Sequence, residues 1–553
     1  MSFLTKTLPK LGRALDQGLA SLEFQLPSEF KCSHGKPNIP AFMQGYFNSV
    51  FDAYGTLRDE ASPPLVSHLR QVLFFAYKLK LSYTDSQVSS TLDSFVETDA
   101  SLSLPNDRDS QEILDFSSQI ISGIFEDFNP KDILPRHGPG AVATGERGDS
   151  KWIFSRRYDA IHQMYPYYDY FIVGGGRELM DRLDWYKKLE RLDQGRAKVV
   201  LVPKDSRGPR LISCEPLEYQ WVQQGLGRKL VSHLESCPMT KDRINFANQE
   251  INRQLALVSS SDRAFSTIDL KDASDRVSME LVRRVFSKTP DLLRALEACR
   301  TGSTLLPDGR VVEFQKFAPM GSALCFPVEA TIFWVLLVAA VSRHLKIRWR
   351  DVGRSIFVYG DDIIIPTPIV DRCIQVLERF SLKVNRTKCC VQGPFRESCG
   401  MDAFKGVSVT PIRLRTVWTG RKTDGAAYVS YVETANALFA ASYTKCSEYL
   451  WEQLEKTYGK VPYGTSHSAF PCRLVSDPEE AERLNALSFR RRNSRRYHRI
   501  EFLVPRLIPK RKKTNLDSWS RMLRNLLMPP YGDPSSIVEP RSMIINRGWT
   551  PVF

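Results

Sequence analysis

The sequence predicts an α+β protein whose centre is an antiparallel sheet backed by helices, and three observations predict it. Two strongly β-prone runs, Ser355–Val358 and Ile363–Ile365, flank Tyr359-Gly360-Asp361-Asp362, the pattern of a hairpin closed by a tight turn. Upstream, Phe265–Leu270 reads as a strand with Asp269 near its end. A polar turn and a helix from about Val277 follow it, with Ser274 or Asp275 as the expected N-cap. Across residues 263–415, strand, helix, hairpin, helix and strand alternate, which implies an antiparallel sheet with helices behind it.

The same segments carry the chemistry. Carboxylates placed between buried strands are costly unless a cation meets them. Mg²⁺ suits that position, because it takes hard oxygen ligands from one or two carboxylates plus substrate phosphates. Alone, a Gly-Asp-Asp also fits a surface turn, and Asp269 alone also fits a helix cap. Together they match a two-metal phosphoryl-transfer site, in which cations roughly 3.5–4 Å apart are bridged by carboxylates from separate strands.

In this order the two segments resemble motifs A and C of template-directed polymerases, and Tyr359-Gly360-Asp361-Asp362 resembles the signature of RNA-dependent RNA polymerases. Phe317-Ala-Pro-Met-Gly321-Ser322-Ala-Leu-Cys325-Phe-Pro-Val-Glu329 resembles motif B, with Glu329 where the general viral pattern has Asn; phage replicases look similar there. Lys198–Arg210, followed by Glu215-Pro216, resembles the basic motif F, and Leu382–Lys388 resembles motif D. Gly393-Pro-Phe-Arg396-Glu397-Ser-Cys399-Gly400 and Arg136-His137-Gly138-Pro139-Gly140 are similar to segments of the replicases of single-stranded RNA bacteriophages, the leviviruses.

The resemblance implies a right-hand polymerase of fingers, palm and thumb. Residues 1–262 would form an N-terminal extension and fingers, with motif F at about 196–216. The palm would span 263–415 with motifs A to E, and the thumb and a basic C-terminal region 416–553. It implies an RNA-templated RNA polymerase using ribonucleoside triphosphates and two Mg²⁺ ions, with Mn²⁺ as a substitute. Asp269, Asp361 and Asp362 would be metal ligands, and Lys388 a general acid for pyrophosphate. Lys204, Arg207 and Arg210 would meet the triphosphate, Arg through bidentate contact and Lys as a point charge. Gly321, Ser322 and Glu329, with Ser274 and Asp275, would read the nucleotide and its ribose. Reverse transcriptases carry a bulky aromatic where this chain has the small Ser274, which leaves room for a 2′-hydroxyl. Implied partners are single-stranded RNA template and product, host elongation factors EF-Tu and EF-Ts, and a small-subunit ribosomal protein, in the cytoplasm of an infected bacterium. The competing readings are a reverse transcriptase and a catalytically inactive RNA-binding subunit, the latter opposed by the intact carboxylates.

Bulk properties agree without deciding. The 553 residues exceed one ordinary core. A net charge of +15 suits a polyanionic partner. Eleven cysteines, odd in number and without a Cys-x-x-Cys, argue against a disulfide framework or a zinc site. The N-terminus lacks the apolar core of a signal peptide. The most apolar run, Ile332–Val341, is too short to span a bilayer and reads as a buried helix.

Elsewhere, Leu65–Leu81, Asn245–Leu257 and Glu433–Gln453 read as helices, and Pro307-Asp308-Gly309 as a turn. Gly174–Gly176 lacks phosphate-loop spacing and reads as a turn. His137 reads as a hydrogen-bonded turn histidine. Arg490–Arg499 and Lys510–Lys513 form a basic tail suited either to solvent or to RNA phosphates, with Tyr497 and His498 as stacking candidates.

Overall fold

Leucines at three- and four-residue spacing decide the first helix. Helix α1 (Leu8–Ser21) buries Leu8, Leu11, Leu15 and Leu19 along one stripe, and α2 (Pro63–Phe74) does the same with Val66, Leu69 and Leu73. Their shared core also contains Phe395 and Phe404, from over three hundred residues later. Helix α2 stops at Phe74, short of the expected Leu81, because the Phe75 carbonyl accepts from the Leu414 N–H at 2.7 Å instead of extending the helix. The computed structural model describes residues 2–172, 180–513, 516–527 and 536–552; the Gly174–Gly176 turn lies outside them.

Helices α3 (Asp85–Ala100) and α4 (Arg108–Ile124) follow. The basic segment forms a hairpin of β1 (Ala197–Asp205) and β2 (Gly208–Cys214), leading into α5 (Leu217–Ser236). Helix α6 is Glu250–Asp262 rather than Asn245–Leu257. Its start is delayed because the Asn245 N–H bonds the Val358 carbonyl at 3.0 Å, a tertiary pairing that holds residues 244–245 extended.

Strand β3 (Phe265–Asp269) comes next. Ser274 and Asp275 lie in a 3-10 turn, and the helix after it, Met279–Val285, is capped by Ser278, whose hydroxyl accepts from the Leu281 N–H at 3.0 Å. Strands β4 (Ser303–Leu305) and β5 (Val311–Glu313) flank the Pro307–Gly309 turn and join β1 and β2 in a four-stranded sheet, order β2-β1-β4-β5. Helix α7 (Cys325–Leu345) is apolar all round and long enough to cross a membrane by length and composition. It is the core helix instead, with 94% of its apolar window buried.

Strands β6 (Phe357–Tyr359) and β7 (Asp362–Pro366) form the predicted hairpin, which pairs with β3 in the order β6-β7-β3, antiparallel throughout. The α+β expectation is borne out. Helix α8 (Val370–Arg379) packs against α7 behind this sheet, and the hairpin β8 (Phe395–Ser398) and β9 (Met401–Phe404) belongs to a separate small sheet that joins the N-terminal core. The helix expected over Glu433–Gln453 is two, α9 (Gly425–Ala440) and α10 (Thr444–Tyr458), broken where Ser442 takes a left-handed φ of 66°. Strands β10 (Arg491–Ser494), β11 (Arg499–Lys513) and β12 (Ser536–Thr550) end the chain as an antiparallel sheet.

His137 departs from expectation. Its ring lies among Trp152, Phe154 and Trp221 at centroid distances of 4.8, 5.7 and 4.5 Å, and among the described residues neither ring nitrogen makes a well-formed hydrogen bond, the Lys151 backbone acting on it only weakly. Burial, with the Lys151 ammonium nearby, pushes the imidazole down to about 3. The folded chain keeps this ring neutral while the unfolded chain protonates it below 6.5. Its stabilisation is therefore present above that value and lost as pH falls toward 3. Between pH 7 and pH 5 the native chain should lose about 2 kcal/mol more stability than His137→Phe, measured from urea midpoints. Equal losses would show that the ring protonates without penalty.

Candidate active site

The register of the central sheet builds the site. Asp362 begins β7 directly opposite Asp269, the last residue of β3, so two carboxylates from distant segments share one end of the sheet. Tyr359 pairs with Asp362, leaving Gly360 and Asp361 as a two-residue turn. Gly360 has φ 61°, and a Cβ there would lie 1.9 Å from the Phe326 ring. The turn is thus pressed onto the first turn of α7, which also presents Glu329.

Segment 382–390 runs along the free edge of β3, bridging Leu270 to Val384 and Thr267 to Cys390. That path carries two donors to Asp269: Asn385 Nδ2 reaches Oδ2 at 2.7 Å and Lys388 Nζ reaches Oδ1 at 3.1 Å. The β8–β9 turn supplies a third group, the Cys399 N–H, to Asp362 Oδ2 at 3.1 Å. Behind that turn the Arg396 guanidinium, fully buried, donates to the carbonyls of Phe265, Gly393, Phe395 and Val391. It ties the start of β3 to β8.

Negative charge exceeds positive charge here. Asp361 is open to solvent at the hairpin tip yet flanked by protein, and burial and the Asp269 charge push its carboxyl upward. Burial and then Asp361 push Asp362 up to about 7. Burial and the same Asp361 push Glu329 well above its ordinary value. Burial works to depress Lys388, but Glu397 and Asp269 overcome it and hold the ammonium above its usual range. Among the described residues no three His, Cys, Asp or Glu side chains enclose a cation by themselves. The carboxylates fit a divalent ion that takes its remaining oxygens from water or phosphate.

The basic hairpin faces this charge. Lys204 lowers the Asp361 carboxyl and Asp269 raises Arg207, so each senses the site across the cleft. The Arg207 fork is closed on Asp205, at 3.1 Å from Nε and 2.8 Å from Nη2, and Asp205 also accepts from Tyr77 at 3.0 Å. Lys204 and Arg210 are exposed and have no acidic partner among the described residues. Although the Lys204 side chain reaches solvent, the protein crowded around it, with Arg210 and Arg207 beside it, lowers its ammonium.

The expected ribose-reading residues are brought together in part. Ser274 lies against Cys325, whose thiol is 3.7 Å from Glu329 Oε2, and Asp275 acts electrostatically on both Cys325 and Glu329. The Ser322 hydroxyl is directed elsewhere, donating to Gln223 Oε1 at 3.1 Å. Gly321, at φ 126°, lets its loop lie on β2: a Cβ would meet the Ser213 carbonyl at 2.1 Å. Sequence reasoning gave no role to Asn385, Gln223, Glu397 or the Cys399 N–H. Asn385 and Glu397 stand in quoted motifs, while a backbone N–H has no signature.

Residues 177–419 match the family model described as RNA replicase, beta-chain. The family resemblance is borne out over that segment. The chain is 35% identical over 218 residues to the RNA-directed RNA polymerase subunit beta of Qbeta virus (strain MX1), covering 39% of this chain and 35% of that protein. It is 37% identical to the corresponding subunit of Enterobacteria phage SP over 39% of this chain and 36% of that one. The match thus spans little more than a third of each relative. Arg136–Gly140 lies outside the matched residues. A solved structure named RNA dependent RNA polymerase, vp4, dsRNA gives a TM-score of 0.46 at 13% identity over 82% of this chain and 44% of that one.

Gly360→Ala tests the packing of the replicase-like hairpin on α7. The methyl should destabilise the fold by about 1–3 kcal/mol, read as a lower thermal midpoint, and Phe326→Ala in the same chain should recover part of the loss. An unchanged midpoint would show that the turn is free to move off α7.

Proposed function

We propose that this protein is an RNA-templated RNA polymerase that replicates a phage genome from ribonucleoside triphosphates. The observation that carries the reading is the convergence of Asp269, Asp361 and Asp362 at one sheet end, facing the cations Lys204 and Lys388. The reaction joins a 3′-hydroxyl oxygen to the α-phosphorus and breaks the bond to pyrophosphate, so charge management at the phosphates dominates. Asp269 and Asp361 would hold two Mg²⁺, or Mn²⁺ in substitution, with Asp362 completing the set. Bound there, the ions would supply Lewis acidity and a more acidic 3′-hydroxyl.

The remaining roles belong to the chain itself. Lys204 and Arg210 meet the triphosphate first, and Arg207 joins them only by releasing Asp205. Lys388, kept protonated by its carboxylate neighbours, is the proton donor to pyrophosphate. Ser274 and Asp275 read the ribose. Residues 1–262, 263–415 and 416–553 serve as extension with fingers, palm, and thumb with basic tail. EF-Tu, EF-Ts and a ribosomal small-subunit protein are proposed as partners on the levivirus resemblance, in the cytoplasm of an infected bacterium.

RNA contact extends to the β10–β11 hairpin. Arg490, Arg491, Arg495 and Arg496 are exposed there and have no acidic partner among the described residues. Arg492 and Arg499 share the single carboxylate of Glu501, so this trio keeps a net positive charge. Tyr497 stays 54% exposed with the Arg496 and Arg499 guanidinium groups 5.4 and 4.7 Å from its ring, an arrangement suited to single strands.

Asp361→Ala should cut ribonucleotide incorporation on single-stranded RNA by on the order of 10³-fold while RNA binding persists; unchanged incorporation would remove the metal assignment. Replacing Arg490, Arg491, Arg495 and Arg496 by Ser should lower the slope of log affinity against log salt by roughly 3. A slope that does not move would return the hairpin to solvent.

A further inference from the structure

Lys316 is a fully buried ammonium near the site, with a side chain 0% exposed. Its Nζ lies 3.0 Å from Asp275 Oδ1 and 3.7 Å from Asp99 Oδ1, and 3.5 Å from the centre of the Phe95 ring. Asp99 is fixed in turn, accepting from the N–H groups of Gln315 at 2.9 Å and Lys316 at 3.0 Å. Asp99 and Phe95 belong to α3 in the N-terminal region, and Asp275 to the turn after β3. Residues 315–317 lie along that turn's exit: Met279 N–H bonds the Gln315 carbonyl at 2.8 Å and Phe317 N–H the Val277 carbonyl at 2.7 Å.

A buried ammonium needs close charge partners or well-placed hydrogen-bond acceptors. Asp99 supplies one from outside the site, which leaves Lys316 free to hold a single oxygen of Asp275. That side chain keeps 21% of its surface exposed, beside Glu329 and Cys325. Fixing one oxygen stops the carboxylate from rotating, so the other is a pre-oriented acceptor rather than a mobile one.

We propose that Lys316, paired with Asp99, is a positioning residue that fixes Asp275 as the acceptor for the sugar hydroxyl of the incoming nucleotide. The inference rests on the polymerase reading and adds a specificity element reaching back to the N-terminal helix α3. The test is incorporation of ATP against 2′-deoxy-ATP on single-stranded RNA, comparing the native chain with Lys316→Met and Asp99→Asn.

Lys316→Met should lower the ribo-over-deoxy ratio in kcat/KM by about tenfold, the worth of one hydrogen bond to a charged group, through ATP rather than 2′-deoxy-ATP. Asp99→Asn, which preserves volume, should move the ratio in the same direction, and it decides the matter if Lys316→Met does not fold. Adding Asp275→Asn to Lys316→Met should lower the ratio little further. Variants that slow both nucleotides equally would overturn the clamp and leave a structural lysine. A native chain that discriminates while both variants match its ratio would remove the clamp alone. A native chain that incorporates neither nucleotide would remove the polymerase reading and the clamp with it.

Discussion

In an antiparallel pair every residue either faces its partner or misses it, and a slip of one residue turns each side chain to the opposite face. Asp362 faces Asp269 in this sheet, and the arrangement around them depends on that single register. Three isoleucines in a row would survive such a slip unchanged, so the register is held at the ends of the strand: the two-residue Gly360-Asp361 turn sets β6 against β7, and the Ser266 and Thr367 hydroxyls meet at 3.0 Å where β3 begins. Ile363 and Ile365 lie in the core under α7 and Ile364 is buried on the other face, which anchors the strand without selecting its register. Asp361 is thereby held where Asp269 repels it and where it in turn repels Asp362, and the fold supplies the restraint.

That restraint comes largely from chain far from the site. Arg396 spends its guanidinium on four carbonyls, joining β3 to β8 without touching a carboxylate. Beneath it, Arg70 of α2 bonds Asp16 of α1 and reaches Asp402 of β9 at 2.5 Å, so the N-terminal helices clamp the β8–β9 hairpin whose turn donates to Asp362. Burial pushes Asp16 up to about 7, with Arg70 pulling the other way. A half-compensated pair of this kind is a modest stabiliser but a strict one about geometry, since breaking either partner strands a buried charge. The N-terminal layer therefore acts on the site through the rigidity of one turn.

Legibility followed the range of the interactions. The hairpin and the strand ending in Asp269 were readable because turn chemistry and β-branched runs are local, and the family motifs then placed Lys204, Lys388 and Glu329. The start of α6 was misread because the bond from Asn245 to Val358 is tertiary and overrides helical spacing. The cap was misplaced because Ser274, Asp275 and Ser278 are equivalent by composition; only the geometry of the 3-10 turn selects Ser278. His137 was misjudged because its polarity suggested partners, whereas three aromatic rings enclose it. Arg207 reads as a triphosphate contact, and the structure adds that Asp205, two residues before it, holds its fork.

The charge balance of the cleft explains why its cations are arranged in two tiers. Lys388 and Asn385 are committed to Asp269, and Lys316 to Asp275, so those groups set the position of the carboxylates. Lys204 and Arg210 are uncommitted and lie across the cleft. If every cation were paired within the protein, an anionic ligand could enter only by breaking an ion pair. If none were, the crowded carboxylates would have no restraint when the cleft is empty. Committed lysines behind the acids and free basic groups in front of them satisfy both requirements, and Arg207, held by Asp205 but exposed, stands between the tiers.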